Sequence, residues 1–127
     1  MRVVAIIIKD DKILLIHRIK NGQEYYVFPG GALEEGETSE EAIARELKEE
    51  LGIDIKPDKL VFQIVNRGVE ESYFLVKGFS GPPKWQEQEK FTGNNQYYSI
   101  WVDLETAKNL ENLFPEEAKE KLVTLFF

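Results

Sequence analysis

Apolar residues in this chain recur with two periods, one typical of strands and one typical of a helix. Two apolar runs, 3–8 and 13–19, are separated by four polar residues, which predicts a hairpin of two covered strands. Further strands are expected at 24–28, 53–55, 60–65, 71–79 and 99–103, with 99–103 the last of them. Turns are expected at the pairs Asn21-Gly22 and Arg67-Gly68.

The final third of the chain predicts two more helical segments. Residues 104–110 indicate a short helical turn. Pro115, followed by two glutamates, is typical of a helix start, and that helix is expected to run through Leu125. Its apolar stripe should pack on the sheet and contains Ala118, Leu122, Leu125 and Phe126.

Residues 38–52 predict the best-defined helix. Thr38 is a good N-cap and Glu41, three residues later, completes a capping box, whereas Gly52 is a natural stop. With a rotation of about 100° per residue, one apolar stripe forms. It contains Ile43, Ala44, Leu47 and Leu51.

Three glutamates lie beside that stripe and not on the solvated side. Glu46, Glu49 and Glu50 fall within an arc of roughly 100°. Neighbouring like charges repel each other, and more strongly when partly buried. A hard divalent cation would remove this cost, and Mg²⁺ prefers carboxylate oxygens together with substrate phosphates. Arg45, one turn before Glu49, is placed to hold that carboxylate in position. The plainer alternative is an acidic helix that forms a solvated surface.

Composition limits the classes of function. The 127 residues, with 43% hydrophobic and 31% charged residues, favour one globular domain over 1–127. A net charge of −7 argues against nucleic acid as a partner, and no apolar run is long enough for a membrane span. The apolar start turns charged at Lys9 and has no cleavage pattern, so it indicates a strand and not a signal peptide. The absence of cysteine excludes disulfides and fits the cytoplasm.

The spacing within residues 31–53 resembles the signature of the Nudix hydrolases, in their MutT-like form. The matching positions are Gly31, Glu37, Arg45-Glu46-Leu47, Glu49-Glu50 and Gly52-Ile53. The resemblance implies an α/β class fold: an α/β/α sandwich with a mixed β-sheet and a catalytic loop-helix-loop motif. It also implies hydrolysis of a nucleoside diphosphate linked to another group.

The resemblance also implies roles for the residues of the motif. Glu46, Glu49 and Glu50 would hold Mg²⁺, with Mn²⁺ as a substitute, and the carbonyl of Gly30 or Gly31 would touch the metal. Glu37 and Arg45 would hold loop and helix together. The general base varies across the family, so Glu46, Glu49 and a loop glutamate all stay open.

A long irregular stretch, 84–96, follows Gly81-Pro82-Pro83 and is of a length that is often functional. A glutamate outside the motif completes the metal site or acts as base in many relatives, and Glu87 and Glu89 are the candidates here, with Glu70 or Glu71 as competitors. Aromatic and amide side chains in and after this stretch suit either base binding or the core. These are Trp85, Phe91, Asn94, Asn95, Tyr97 and Tyr98.

Other candidates for substrate contact lie on the strands. Arg18 is a candidate for a phosphate or base contact, or else a surface charge, and Lys59, Arg67 and Lys77 are open candidates for phosphate. Gly30 and Gly31 would allow the backbone to approach a ligand closely or to adopt positive φ. His17, the only histidine, is expected to be structural.

The substrate is expected to be a small nucleotide. Relatives acting on ADP-ribose or diadenosine polyphosphates carry a Pro or a Tyr about fifteen residues past the motif, and residues 68–71 contain neither. This favours a nucleoside triphosphate pyrophosphohydrolase, with oxidised dGTP one candidate. The alternatives are those two substrates, or a Nudix-fold nucleotide sensor or interaction module without turnover. Either a monomer or a homodimer is compatible with the exposed aromatic residues expected at 126–127.

Overall fold

The computed structural model describes residues 1–83 and 95–127, which form two β-sheets and three helices. The first half of the chain contains β1 (Arg2–Ile6), β2 (Ile8–Lys9), β3 (Lys12–Lys20), β4 (Gln23–Val27), β5 (Gly30–Ala32) and α1 (Ser39–Leu51). The second half contains β6 (Asp54–Asn66), β7 (Val69–Ser80), β8 (Asn95–Asp103), α2 (Leu104–Lys108), β9 (Leu113–Phe114) and α3 (Glu116–Phe126).

Both sheets are mixed. The first has the strand order β5-β1-β7-β6, in which β1 and β7 are parallel and the other pairs are antiparallel. The second has the order β2-β3-β4-β9, with β8 added to β3 and with β4 and β9 parallel. Both sheets contribute residues that pack against the helices on either side.

The predicted hairpin at the start of the chain is only partly right. β2 and β3 do form a hairpin, with Asp10 and Asp11 at φ values of 53° and 61°. β1, in contrast, pairs with β5 and β7 in the other sheet. The apolar run 3–8 passes from the first sheet to the second at Ile7. The side chain of Ile7 is buried, so the sequence shows no polar residue at the crossing.

The expectation that 99–103 is the last strand is wrong. β8 begins at Asn95, and the two-residue strand β9 pairs with β4 after α2. Two residues are too few to show a strand periodicity in the sequence. The pairing of β9 depends on β4, which is distant in sequence.

Alternate residues of the strands face opposite helices. Val3 and Ala5 pack in one core cluster with Ile43 and Leu47 of α1. Residues between them on β1 pack in a second cluster that includes Leu122 of α3. Helices therefore cover both faces, which confirms the predicted α/β/α order.

The apolar stripe of α3 is narrower than expected. Ala118 and Leu122 are fully buried, and Phe126 is partly buried against the same cluster. Leu125 is 49% exposed, so it does not pack on the sheet as predicted. Among the described helices, none combines the length and apolar character that a membrane crossing requires.

The ends of α1 are as the sequence predicts. The Thr38 hydroxyl accepts from the Glu41 N–H at 3.1 Å, and the Glu41 carboxylate accepts from the Thr38 N–H at 2.9 Å. At the other end Gly52 has φ 71° and donates its N–H to the Lys48 carbonyl at 3.0 Å. The caps fix where α1 begins and ends. Its rotation is set by Ile43, Leu47 and Leu51, which pack in the core, and this places the glutamates at the edge of the core.

We expect Thr38→Ala to lower the free energy of unfolding by about 1 kcal/mol, because the Glu41 N–H then loses its acceptor. Urea denaturation followed by circular dichroism measures this change. Thr124→Ala is the matched control, since that exposed hydroxyl donates only to the Glu120 carbonyl within α3 and its loss should cost less than about 0.5 kcal/mol. Equal losses in the two variants would contradict the account of the capping box.

Candidate functional site

Arg45 is the centre of a charged network that joins α1 to the loop before it. Its Nε donates to Glu37 Oε2 at 2.6 Å, and its Nη2 donates to Glu37 Oε1 at 3.0 Å. This two-point geometry is the strongest that arginine makes with a carboxylate. Nη2 also donates to the Ala32 carbonyl at 3.0 Å, so one side chain fixes helix, loop and β5 together.

The third guanidinium nitrogen of Arg45 gathers three more carboxylates. Nη1 lies 3.0 Å from Glu46 Oε1, 3.2 Å from Glu49 Oε2 and 3.4 Å from Glu34 Oε1. The predicted contact between Arg45 and Glu49 is therefore present. Carboxylate oxygens are the type of ligand that Mg²⁺ prefers. Glu37 already pairs with Arg45, so the three further carboxylates leave an excess of negative charge around this arginine.

The hydrogen bonds between Arg45 and Glu37 favour the charged form of both groups. The pKa of Glu37 is lowered, first by the hydrogen bonds from Arg45 and then by the backbone N–H of Glu34. The pKa of Arg45 is raised, mainly by the hydrogen bond to Glu37, although partial burial opposes this. Both groups therefore stay charged through the whole neutral range.

Gly31 lies directly against the carboxylate of Glu46. A Cβ added at Gly31 would be 2.2 Å from the carboxyl carbon of Glu46, which is itself only 9% exposed. A Cβ at Gly30 would be 2.2 Å from the Val3 carbonyl oxygen. The two glycines are needed for close approach within the protein, in strand β5 and without positive φ, which corrects the expectation of positive φ.

The three glutamates predicted as metal ligands share one edge of α1. Glu46 is buried, Glu50 is half-buried and Glu49 is exposed. In residues 1–83 and 95–127, no three His, Cys, Asp or Glu side chains are arranged to hold a metal ion. Glu46 and Glu49 are instead turned towards Arg45. The carboxylate oxygens are therefore of the right type to bind a divalent ion, but in this structure those of Glu46 and Glu49 pair with Arg45.

A cleft of about 1030 Å³ opens between the two sheets. Arg18 lines this cleft, with its guanidinium carbon 4.7 Å from the ring centre of Tyr97 and 5.7 Å from that of Tyr25. Its Nε is buried and has no hydrogen-bond partner among the described residues. Arg67 also lines the cleft. The cleft has the size of a small-molecule site.

The remaining candidates are distributed over the surface. Lys59 and Lys77 are exposed on β6 and β7. His17 stacks on Tyr26 at 4.6 Å and contacts Glu24 at 2.6 Å, which is a structural role of the kind predicted. The candidates Glu87 and Glu89 lie outside the described residues, as do Trp85, Phe91 and Asn94.

The sequence reasoning missed Glu34 and the Ala32 carbonyl, and it named Glu71 only as a competing candidate, without expecting its burial. Glu34 and the Ala32 carbonyl complete the shell around Arg45, and only the acid-rich turn before the helix gave any hint of Glu34. Glu71 is 5% exposed in the wall of the cleft, whereas its neighbour Glu70 is exposed. A glutamate in a strand normally indicates a solvated position, so the burial of Glu71 had no signal in sequence.

A model of the NUDIX domain matches residues 1–123. The chain belongs to the Nudix family. Its similarity to an 8-oxo-dGTP diphosphatase of Haemophilus influenzae is 35% identity over 101 residues, 72% of this chain and 74% of that protein. Its similarity to an ADP-ribose pyrophosphatase of Methanocaldococcus jannaschii is 54% identity over 50 residues, 39% of this chain and 30% of that protein.

Solved structures confirm the Nudix fold. The solution structure of the Escherichia coli ORF135 protein superimposes with a TM-score of 0.77 at 30% identity, covering 98% of this chain and 88% of that one. A MutT structure from work on Aliivibrio salmonicida and Vibrio cholerae gives 0.78 at 25% identity, covering 98% and 97%. Among curated relatives, the matches to diphosphatases of Proteus vulgaris and Escherichia coli each span 50% of those proteins. The Nudix chain thus spans about half the length of these relatives.

We expect Gly30→Ala and Gly31→Ala to separate two kinds of close contact. The methyl group at position 30 would meet the backbone of β1, which cannot move freely, so unfolding free energy should fall by about 1–3 kcal/mol or more. The methyl group at position 31 would meet the end of a flexible side chain, so stability should stay within about 1 kcal/mol of wild type. Urea denaturation of both variants tests this difference. A Gly31→Ala variant as unstable as Gly30→Ala would show that Glu46 cannot move.

Proposed function

We propose that this Nudix protein hydrolyses a nucleoside diphosphate linked to another group, with a nucleoside triphosphate as the preferred substrate. The observation that supports this most directly is the network of Arg45, whose Nη1 contacts both Glu46 and Glu49, with Glu46 packed against Gly31. Relatives named as diphosphatases and pyrophosphatases support the same reaction class.

In this proposal Glu46, Glu49 and Glu50, with the carbonyl of Gly31, hold a divalent ion, Mg²⁺ or its substitute Mn²⁺. Nudix hydrolases generally need such an ion. When bound, it supplies neutralisation of the diphosphate charge and a lower pKa for the attacking water. Attack of water at phosphorus breaks a P–O bond of the diphosphate.

Arg45 and Glu37 act as positioning residues. The two hydrogen bonds between Arg45 and Glu37 fix the loop to α1. The hydrogen bond from Arg45 to the Ala32 carbonyl fixes β5 to both. Lysine could not replace this arginine, because a single ammonium group cannot reach Glu37, Ala32 and Glu46 in one plane. The assignment of the general base stays open between Glu46, Glu49 and the candidates Glu87 and Glu89.

The cleft between the sheets would hold the nucleoside. Arg18 supplies a positive charge between two tyrosine rings, and its buried Nε lacks a partner that a phosphate or base oxygen would provide. At the rim, Arg2 pairs in register with Ala32, whose carbonyl accepts from Arg45. Arg2 in the cleft is therefore linked, through its neighbour Ala32 on β5, to Arg45 and the glutamates of α1.

Oxidised dGTP is the candidate substrate favoured by the relatives named 8-oxo-dGTP diphosphatase, and other relatives are named ADP-ribose pyrophosphatase and RNA pyrophosphohydrolase. The cytoplasmic location, the lack of nucleic-acid and membrane partners, and a monomeric or homodimeric state remain predictions from the sequence. Activity assays on a panel that includes oxidised dGTP, ADP-ribose and RNA with a 5′ triphosphate separate the candidate substrates.

We expect pyrophosphate release from at least one nucleoside triphosphate of such a panel in the presence of Mg²⁺, and loss of activity after chelation. Glu49→Gln should reduce kcat/KM by at least about hundredfold, because a ligand to the ion is lost. Glu40→Gln, an exposed glutamate in the first turn of the same helix, should leave activity unchanged. Nucleotide binding without any turnover would support the sensor function instead, and activity that persists in Glu49→Gln would refute the assignment of that residue.

A further inference from the structure

Glu71 is a buried acid in a cleft whose other described charges are mostly positive. Arg2, Arg18, Lys20 and Arg67 line the cleft, against two carboxylates, Glu71 and Glu116. Glu116 is exposed, but Glu71 is only 5% exposed. Cations suit the phosphates of a nucleotide, whereas a buried carboxylate repels them. Glu71 therefore marks a part of the cleft that suits a hydrogen-bond donor.

The Glu71 carboxylate is held from two sides by neutral groups. The Tyr73 hydroxyl donates to Oε1 at 2.9 Å, and Asn66 Nδ2 donates to Oε2 at 3.3 Å. The half-exposed Arg2 comes no closer than 3.8 Å. Burial, and then the charge of Glu71, raise the pKa of Tyr73, so this phenol stays a donor. Two carboxylate oxygens offer about four acceptor positions, so capacity for further donors remains.

Glu71 lies on the opposite face of its sheet from Glu46. In the register of β1, Arg2 is level with Ala32 and Glu71, and Val3 is level with Gly31 and Ser72. Neighbours at the same level share a face, and successive residues alternate. Because Gly31 touches Glu46 on the face of α1, Glu71 faces away from the glutamates of the helix. This geometry separates Glu71 from the proposed metal ligands.

We propose that Glu71 determines base specificity by accepting hydrogen bonds from two adjacent N–H donors of the nucleobase. The Watson–Crick edge of guanine presents such a pair, N1–H and the 2-amino group. Adenine presents an amino group beside an acceptor nitrogen, and uracil presents one N–H between two carbonyls, so neither matches a carboxylate at two points. The inference rests on the proposed function, because it assigns the base end of the same substrate site.

The test compares GTP, ITP and ATP as substrates of wild type and Glu71→Gln. ITP differs from GTP only by the missing 2-amino group. We expect wild type to prefer GTP over ITP by about tenfold in kcat/KM, and Glu71→Gln to reduce this ratio to near one. The variant keeps an oxygen for the Tyr73 hydroxyl. Glu120→Gln, on the exposed part of α3 outside the cleft, removes the same charge and should keep the wild-type ratio.

A ratio of GTP to ITP that is the same in wild type and Glu71→Gln would overturn the proposal while the hydrolase function stands. A second measurement needs no variant and no turnover. Isothermal titration calorimetry of wild type with GMP and with IMP should show about tenfold tighter binding of GMP. Equal affinities, or no binding of GMP, would overturn the role of Glu71. If no compound of the substrate panel is hydrolysed, the proposed function fails, and a preference for GMP over IMP that is lost in Glu71→Gln would still support the role of Glu71.

Discussion

The arrangement of this site depends on one guanidinium group. Arg45 satisfies Glu37 at two points, holds the Ala32 carbonyl, and attracts Glu34, Glu46 and Glu49 to a single nitrogen. A partly buried group of carboxylates would otherwise repel itself apart. Arginine can hold these carboxylates together because its planar guanidinium group donates hydrogen bonds in several directions and stays positively charged. The same group fixes where the loop, the helix and β5 meet.

The two faces of the first sheet carry different sets of polar residues. The glutamates of α1 lie on one face with Gly31, and the cleft with Glu71 and Arg18 lies on the other. Arg45 donates to the Ala32 carbonyl of β5, and β5 pairs with β1, whose Arg2 lines the cleft. In the proposed function the nucleoside would lie in the cleft, and the phosphates would lie at the glutamates of α1 together with the divalent ion.

Local features of this fold were predictable, and those that depend on distant partners were not. The capping box at Thr38 and the stop at Gly52 follow from neighbours within four residues, so the helix and its acidic edge were right. The reason for Gly31 was not readable, because the atom that it accommodates belongs to Glu46 in another element. The crossing of the first apolar run between sheets at Ile7 was missed for the same reason. Glu71 was named only as a competing candidate, and its burial was not predictable because it depends on contacts with Tyr73 and Asn66 in the folded cleft.

In the proposed function, Glu46, Glu49 and Glu50 bind a divalent cation against a diphosphate, while Arg45 and Glu37 hold the loop to the helix. The most direct measurement is a crystal structure grown with Mn²⁺ and a non-hydrolysable nucleoside triphosphate, with the ion located by its anomalous scattering. The account predicts an anomalous peak bound by Glu46, Glu49 and Glu50, next to the phosphates, with Glu37 still paired to Arg45. A bound nucleotide with no ion at these glutamates, all of them still turned to Arg45, would contradict it.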